Sequence, residues 1–474
     1  METDFQVQNP RLILFFILCL ASALRVLNVL TTSAIDMDGT FYANIGEAYS
    51  RGAFREGLNG IFPPVYPMLI GFTHLVIPDL ETAAVVVSFT AGLFTVYLSF
   101  FFCKKLIGEV QALYGAFFVA INPYLVKFSA SVLTESVATL LVLVTVFTFY
   151  TGWSKGNQKH IVLSGFFLSL TYLTRPEYLI YCIPLSALLL ARKRFLYFFL
   201  FLLSFAVLTG AYIYWMKLET GLIVFSKKAI LAKQQSITSG SPNAYLLPIA
   251  GFSRIAIRSY SVFIDLLNGI LPQFALLAVW GIKRTKKDYR ILISLLVLFH
   301  VMPMIAMSAF SKRFYVELFP LLIPFFVAGL FSLKSVIQRF RPGTKACYAI
   351  VAIIISFSLF QGINLPDQGR VFNKKAGLYL LSHDPHTIVA SRLPFISFYS
   401  RGKWSYLPWL AKGVDTCPEF FAQAQMEGVA YAAVDEKIAR ENPFIAECLN
   451  TMEPVVKFDD DNEFVKIYRL SPNP

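Results

Sequence analysis

Stretches of about twenty apolar residues recur along this chain from Arg11 to about Ile363, and no other feature limits its possible folds as strongly. A bilayer hydrocarbon core about 30 Å thick is crossed by roughly 20 residues of helix. Inside it every backbone N–H and C=O has to be bonded within its own segment, so runs of this length read as α-helices. Composition agrees. The chain is 56% hydrophobic and 15% charged, where a water-soluble chain carries about a quarter of its residues charged. The expected architecture is an all-α polytopic membrane protein in which only the last hundred or so residues look soluble.

Setting apolar runs against polar breaks places helices near 11–33, 82–103, 110–126, 132–152, 161–174, 178–191, 195–217, 261–282, 291–310, 316–333 and 346–363, about eleven crossings. With the amino terminus in the cytoplasm, the inner loops hold Lys104-Lys105, Lys155 with Lys159, Arg192-Lys193-Arg194, the cluster Lys283 to Arg290, and Lys334 to Lys345. Every alternate loop is then basic, as the positive-inside rule requires. The net charge of +13 is accounted for by these clusters and does not point to nucleic acid. An odd number of crossings exports the tail.

Two outward segments are long, 34–81 and 218–260, and long loops in compact proteins are usually functional or disordered. The first includes an apolar piece, Pro63 to Pro78, too short for an easy crossing and suited to lying flat at the interface. The expected domains are a transmembrane unit over 1–364, with 34–81 as its first extracytoplasmic loop, and a small extracytoplasmic α/β domain over 365–474. Within the latter, Thr387 to Ala390, Val429 to Val434, Val455 to Phe458 and Phe464 to Tyr468 read as strands. Cys19, Cys103, Cys182 and Cys347 sit in apolar runs as small hydrophobes. Cys417 and Cys448 lie in the exported tail, where a disulfide between them would persist.

Ile35-Asp36-Met37-Asp38-Gly39-Thr40-Phe41-Tyr42 follows the first helix and sets two carboxylates at the outer membrane surface. Partial shielding from water raises a carboxylate's pKa toward the working range of a general base. A solvated loop acid is the plainer alternative. Arg175 and Glu177 end the fifth helix, and Lys312-Arg313 with Tyr315 separate the ninth and tenth, all on the same outer side. Charge at an apolar edge is costly unless paired or functional, and simple Arg175–Glu177 or Arg313–Glu317 ion pairs are the bland reading. Glu135 opens the fourth helix, with Thr134 as its expected cap. Cations at that face suit the phosphate of a lipid carrier while an Asp takes a proton from an acceptor hydroxyl. His300, inside the ninth helix, reads as a buried imidazole bonded to a neighbouring helix.

Asp36-x-Asp38-Gly-x-Phe-Tyr42, Pro63-Pro64-Val-Tyr66-Pro67, Asn122-Pro123, Leu133-Thr134-Glu135 and Leu173-Thr174-Arg175-Pro176-Glu177 occur in that order. Together they resemble the C-type (GT-C fold) glycosyltransferases, in particular the bacterial and archaeal relatives of dolichyl-phosphate-mannose protein mannosyltransferases, which include the lipid A aminoarabinose transferases. The resemblance is strongest over 11–200 and weak around Arg313-Phe-Tyr315. It implies inverting transfer of a sugar from a polyprenyl- or dolichyl-phosphate carrier to an extracytoplasmic acceptor, with an Asp of the first loop as base. By motif position that Asp is Asp38. The usual second acid is Gly39 here, and Asp36 stands two residues earlier, so Asp36 stays open as base, as acceptor-orienting group or as cation ligand. An extended backbone would point both carboxylates to one side. Arg175, Arg313 and Lys312 become candidate phosphate ligands, and Glu135, Glu177, Tyr42 and Tyr315 candidate sugar or supporting contacts.

The partners so implied are a lipid-phosphate-linked sugar donor, a glycan, lipid or protein acceptor, and the bilayer. No cofactor is expected, although the acids leave room for a divalent cation. The expected location is a bacterial or archaeal inner or plasma membrane. A transporter or flippase of lipid-linked sugars would use the same cations, but the chain shows no inverted repeat of the kind many transporters carry.

Overall fold

The structure, a computed structural model, describes residues 9–223, 252–307, 311–337, 368–460 and 463–470, with Ala352, Ile355, Ser356 and Ser358 between them. The chain forms two compact units, residues 1–29 with 45–363, and residues 30–44 with 364–474.

The first unit is helical. Its elements are α1 (Pro10–Thr31), the end of α2 (Met37–Ser50), α3 (Phe54–Gly57), α4 (Val65–His74), α5 (Leu80–Ile107), α6 (Glu109–Ala120), α7 (Pro123–Ser129) and α8 (Glu135–Lys155). They continue with α9 (Gln158–Tyr172), a 3-10 turn at Pro176–Tyr181, α10 (Cys182–Ala191), α11 (Phe195–Thr220), α12 (Phe252–Ile270), α13 (Pro272–Gly281), α14 (Lys287–Met307) and α15 (Phe319–Ile337). Among the described residues six helices are long and apolar enough to cross a membrane: 10–31, 80–107, 135–155, 195–220, 287–305 and 312–333. This makes the chain an integral multi-pass membrane protein. Most of the expected helix at 346–363 and most of the segment 218–260 lie outside the described residues.

Local chemistry sets the breaks. α1 buries Leu14, Ile17, Ala21, Arg25 and Asn28, a stripe at three- and four-residue spacing, while Leu12, Phe15 and Phe16 stay exposed as lipid-facing residues do. The single helix expected over 110–126 is two, because Asn122 caps α7 by accepting the Leu125 N–H at 3.0 Å and Pro123 starts it. The helix expected over 261–282 is bent by 91° between α12 and α13. Leu271 stands at the bend with φ +67°, ahead of Pro272, a conformation that costs a branched residue about 1–3 kcal/mol. Burial of its side chain to 1% exposure offsets that cost. α13 and α15 then approach closely, since a Cβ on Gly281 would lie 1.8 Å from the Phe325 carbonyl oxygen and one on Gly329 1.9 Å from that of Leu277.

The second unit is built on a five-stranded sheet of β1 (Ile388–Ser391), β2 (Lys403–Tyr406), β3 (Val429–Asp435), β4 (Val456–Asp459) and β5 (Phe464–Arg469), in the order β2-β1-β3-β5-β4. β1 pairs in parallel with β2 and β3, and β5 pairs antiparallel with β3 and β4. Central β3 reads Val429-Ala-Tyr-Ala-Ala-Val434 without polar alternation because both its faces are covered. One face packs on α16 (Gln368–His383) and α17 (Phe395–Tyr399), through Phe372, Ala376, Leu380 and Ile396. The other packs on α18 (Leu407–Leu410), α19 (Cys417–Met426), α20 (Glu436–Glu441) and α21 (Pro443–Asn450), through Leu410, Phe420, Ile438 and Leu449. A disulfide joins Cys417 to Cys448 across α19 and α21, with a Cα–Cα distance of 5.2 Å. β2 was not expected from the sequence.

Candidate active site

Proline restricts the residue before it to extended backbone, and Arg175 accordingly has φ −145° and ψ 114° where α9 ends and the turn Pro176–Tyr181 begins. Its guanidinium is enclosed by three carboxylates. Nε donates to Glu177 Oε1 at 2.7 Å, and Nη1 donates to Glu317 Oε1 at 2.7 Å and lies 3.4 Å from Glu135 Oε1. Arg313 Nε donates to the same Glu135 Oε1 at 2.6 Å. The ring of Phe314 covers Arg175 with its centroid 5.2 Å from the guanidinium carbon.

Burial is nearly complete. Glu135 is 0% exposed, Glu317 1% and Arg175 5%. Three carboxylates face two guanidiniums, a formal excess of one negative charge if all are ionised. The second oxygens of Glu135 and Glu317, both buried, have no hydrogen-bond partner among the described residues. The Arg175–Glu177 pair of the bland reading is present, but as part of a larger network in which Arg313 bonds Glu135 and Glu317 bonds Arg175. Thr134 does not cap α8: its backbone is helical and its side chain makes no capping bond. Glu135 is held by the two arginines instead.

Lys312 is exposed, with its ammonium 4.9 Å from the centroid of the Tyr124 ring. Tyr315 is 0% exposed, edge-on to His300 with centroids 5.9 Å apart, and its hydroxyl is buried in the core. His300 is as expected a buried imidazole joining elements, Nδ1 lying 3.2 Å from the Tyr181 hydroxyl and Nε2 2.8 Å from the Phe314 carbonyl.

The other candidates lie in the second unit. The backbone from Asp36 to Thr40 is a helical turn, with the Thr40 N–H donating to the Asp36 carbonyl at 3.1 Å. This corrects the extended spacing expected for the two acids. Asp36 immediately precedes α2 and Asp38 sits in its first turn, so two residues of separation turn their side chains to different sides of the helix. Asp36 Oδ1 accepts from Arg370 Nη1 at 2.8 Å. Asp38 is half-buried and Tyr42 buried.

Sequence reading passed over Arg25 and Arg370 and gave Glu317 only as an ion-pair partner. Arg25 carried the plainest signal, a lone cation inside an apolar run. It is 0% exposed, and Nη1 donates to the carbonyls of Ala21 at 3.1 Å and Ala120 at 3.2 Å, the latter an end carbonyl of α6. A cation there satisfies a helix C-terminus that Pro123 cuts short.

The family model for dolichyl-phosphate-mannose-protein mannosyltransferases matches residues 62–215. The fold resembles that of ArnT from Cupriavidus metallidurans bound to undecaprenyl phosphate, with TM-score 0.62 and 10% identity over 96% of this chain and 97% of that one. Its apo state matches over the same shares with TM-score 0.60. The oligosaccharyltransferase AglB from Archaeoglobus fulgidus, in complex with an inhibitory peptide and a dolichol-phosphate, matches with TM-score 0.53 and 10% identity over 96% of this chain and 74% of that one. No curated protein matches by sequence. The fold is that of the GT-C glycosyltransferases. Family match and fold together give its class, a glycosyltransferase. Glu135, Arg175 and Glu177 fall inside the matched segment, whereas Asp36, Asp38, Arg313 and Glu317 fall outside it.

Proposed function

We propose that this membrane glycosyltransferase moves a sugar from a polyprenyl- or dolichyl-phosphate carrier to an extracytoplasmic acceptor, with inversion at the anomeric carbon. The observation that carries the reading is the buried network of Glu135, Arg175, Glu177, Arg313 and Glu317 in a helical unit of membrane-crossing length. Ionised groups are expensive there and mark substrate sites. Support for the carrier comes from the undecaprenyl phosphate of the ArnT structure and the dolichol-phosphate of the AglB structure.

In this reading the acceptor oxygen bonds to the anomeric carbon as the bond from that carbon to the phosphate oxygen breaks. Asp38 takes the acceptor's proton, and the carrier phosphate leaves with the electron pair. Arg313 and Lys312 meet the charge developing on it. Arg313 is the guanidinium suited to this, with 34% of its side chain exposed against 6% for Arg175. Arg175 orients Glu135 and Glu177, which contact the sugar, while Tyr315 packs against His300 in the same unit. The proposed step needs no metal ion, and Asp36, the acid left open as a cation ligand, is paired with Arg370 through Oδ1. The proposed topology has about eleven crossings, a cytoplasmic amino terminus, and 34–81 and 365–474 outside a bacterial or archaeal inner or plasma membrane.

The test is transfer by purified protein in liposomes, offered undecaprenyl- and dolichyl-phosphate-linked sugars, with product identified by mass spectrometry. Asp38→Asn is expected to lower turnover by about 100-fold or more, and Arg313→Ala to weaken donor binding about tenfold. Full transfer by Asp38→Asn would refute Asp38 as base. Translocation of labelled lipid without a covalent product would replace the enzyme reading with that of a flippase.

A further inference from the structure

The stretch carrying the two candidate acids belongs to the second unit, and the tail holds it at three points. The Tyr399 hydroxyl accepts the Ile35 N–H at 3.0 Å. Arg370 donates to Asp36 at 2.8 Å. Phe41, one helical turn beyond Asp38, meets Trp404 edge-on with centroids 5.9 Å apart. These points bracket Asp38 from both sides along the chain. The holding groups are themselves fixed: Tyr399 is 7% exposed, Trp404 Nε1 donates to the Ser391 carbonyl at 3.1 Å, and the Arg370 guanidinium lies 5.9 Å from the Phe395 ring centroid.

We infer that Arg370 is a positioning residue for sugar transfer: by clamping Asp36 it holds the first turn of α2, so the tail domain sets the orientation of Asp38. Asp36 is then the anchor of the clamp. The inference rests on the reading of Asp38 as the base. Its magnitudes separate function from folding. The Arg370 and Asp36 side chains are 37% and 23% exposed, and ion pairs so accessible add little to stability. Displacement of a reacting group by about 1 Å, by contrast, costs about 100-fold in rate. Loss of the clamp therefore appears in turnover while the fold persists.

The experiment measures transfer kinetics in liposomes, with whichever of the two lipid-phosphate sugars wild type uses, together with the thermal midpoint of each variant. Arg370→Ala and Asp36→Asn are each expected to lower kcat about 10- to 100-fold, with KM for the donor within about threefold of wild type. Arg370→Lys keeps a charge at the position and should retain at least about fivefold more kcat than Arg370→Ala. The exchanged pair, Asp36→Arg with Arg370→Asp, should recover at least about tenfold over the poorer single variant. A wild-type kcat in Arg370→Ala would overturn the inference, as would an exchanged pair that folds but turns over no faster than the poorer single. Should the exchanged pair not fold, equal kcat for Arg370→Ala and Arg370→Lys overturns it. Asp38→Asn keeps the two readings apart. If it is inactive while Arg370→Ala is unimpaired, the clamp fails and the base stands. If it is fully active, the base fails whatever Arg370 does.

Discussion

Replacing Arg175 with Met removes the central cation of the buried network and keeps an unbranched stem of similar length. Arg175 is 5% exposed, bonds Glu177 and Glu317 at 2.7 Å each, and lies 3.4 Å from Glu135. After the change Glu135 still has Arg313, but Glu317 and Glu177 lose the cation between them. Removing one partner of a buried ion pair costs about 3–5 kcal/mol, because the remaining charge stays desolvated. Domains of about 150–250 residues lose roughly 2–4 °C of melting midpoint per kcal/mol, and the larger first unit sits at the low end of that scale. The expected fall is roughly 6–10 °C, measured in nanodiscs by intrinsic fluorescence. Adding Glu317→Gln to Arg175→Met should regain part of the loss, since it neutralises a stranded carboxylate, whereas Glu317→Gln alone should destabilise. Residues in one network couple by about 0.5–3 kcal/mol. A variant melting within about 2 °C of wild type, or strict additivity of the two changes, would refute the claim that these groups act as one coupled unit.

Three further outcomes follow from the packing. Gly329→Val should lower the midpoint strongly, or prevent expression of folded protein, because even a Cβ at Gly329 would lie 1.9 Å from the Leu277 carbonyl oxygen; Gly210→Ala, with open space around it, is the matched control expected to melt as wild type does. Non-reducing peptide mapping should recover fragments of α19 and α21 joined through Cys417 and Cys448, and Cys448→Ala should destabilise the tail by roughly 3–4 kcal/mol on the loop-closure estimate for a separation of 31 residues, read as faster hydrogen exchange in β3 and β5. Arg25→Leu should leave the Ala120 carbonyl unsatisfied and cost about 1–3 kcal/mol; a midpoint equal to that of wild type would show that the cation does not serve the end of α6.

The sequence alone determined the membrane character of the chain and the approximate place of its long helices, because lipid obliges each crossing to satisfy its own backbone within one continuous apolar run. It also located four strands of the tail, which announce themselves as short β-rich runs; β2, Lys403-Trp-Ser-Tyr406, is a four-residue edge strand with polar and aromatic residues mixed, and carries no such pattern. Both breaks inside expected helices stood beside prolines at 123 and 272, yet the right angle at Leu271 needed a positive φ that nothing local requires of a leucine. The candidate charges were legible singly, since ions amid apolar residues are conspicuous. Their partners were not. Arg175 meets Glu317 across 142 residues and Asp36 meets Arg370 across 334, and such pairings are settled by which distant helices and turns pack together. Tertiary structure therefore decided what sequence could not: Arg175 is the enclosed centre of a network of three carboxylates, and Asp36 is a partner of the tail, because a desolvated charge takes the counter-ion that packing brings to it.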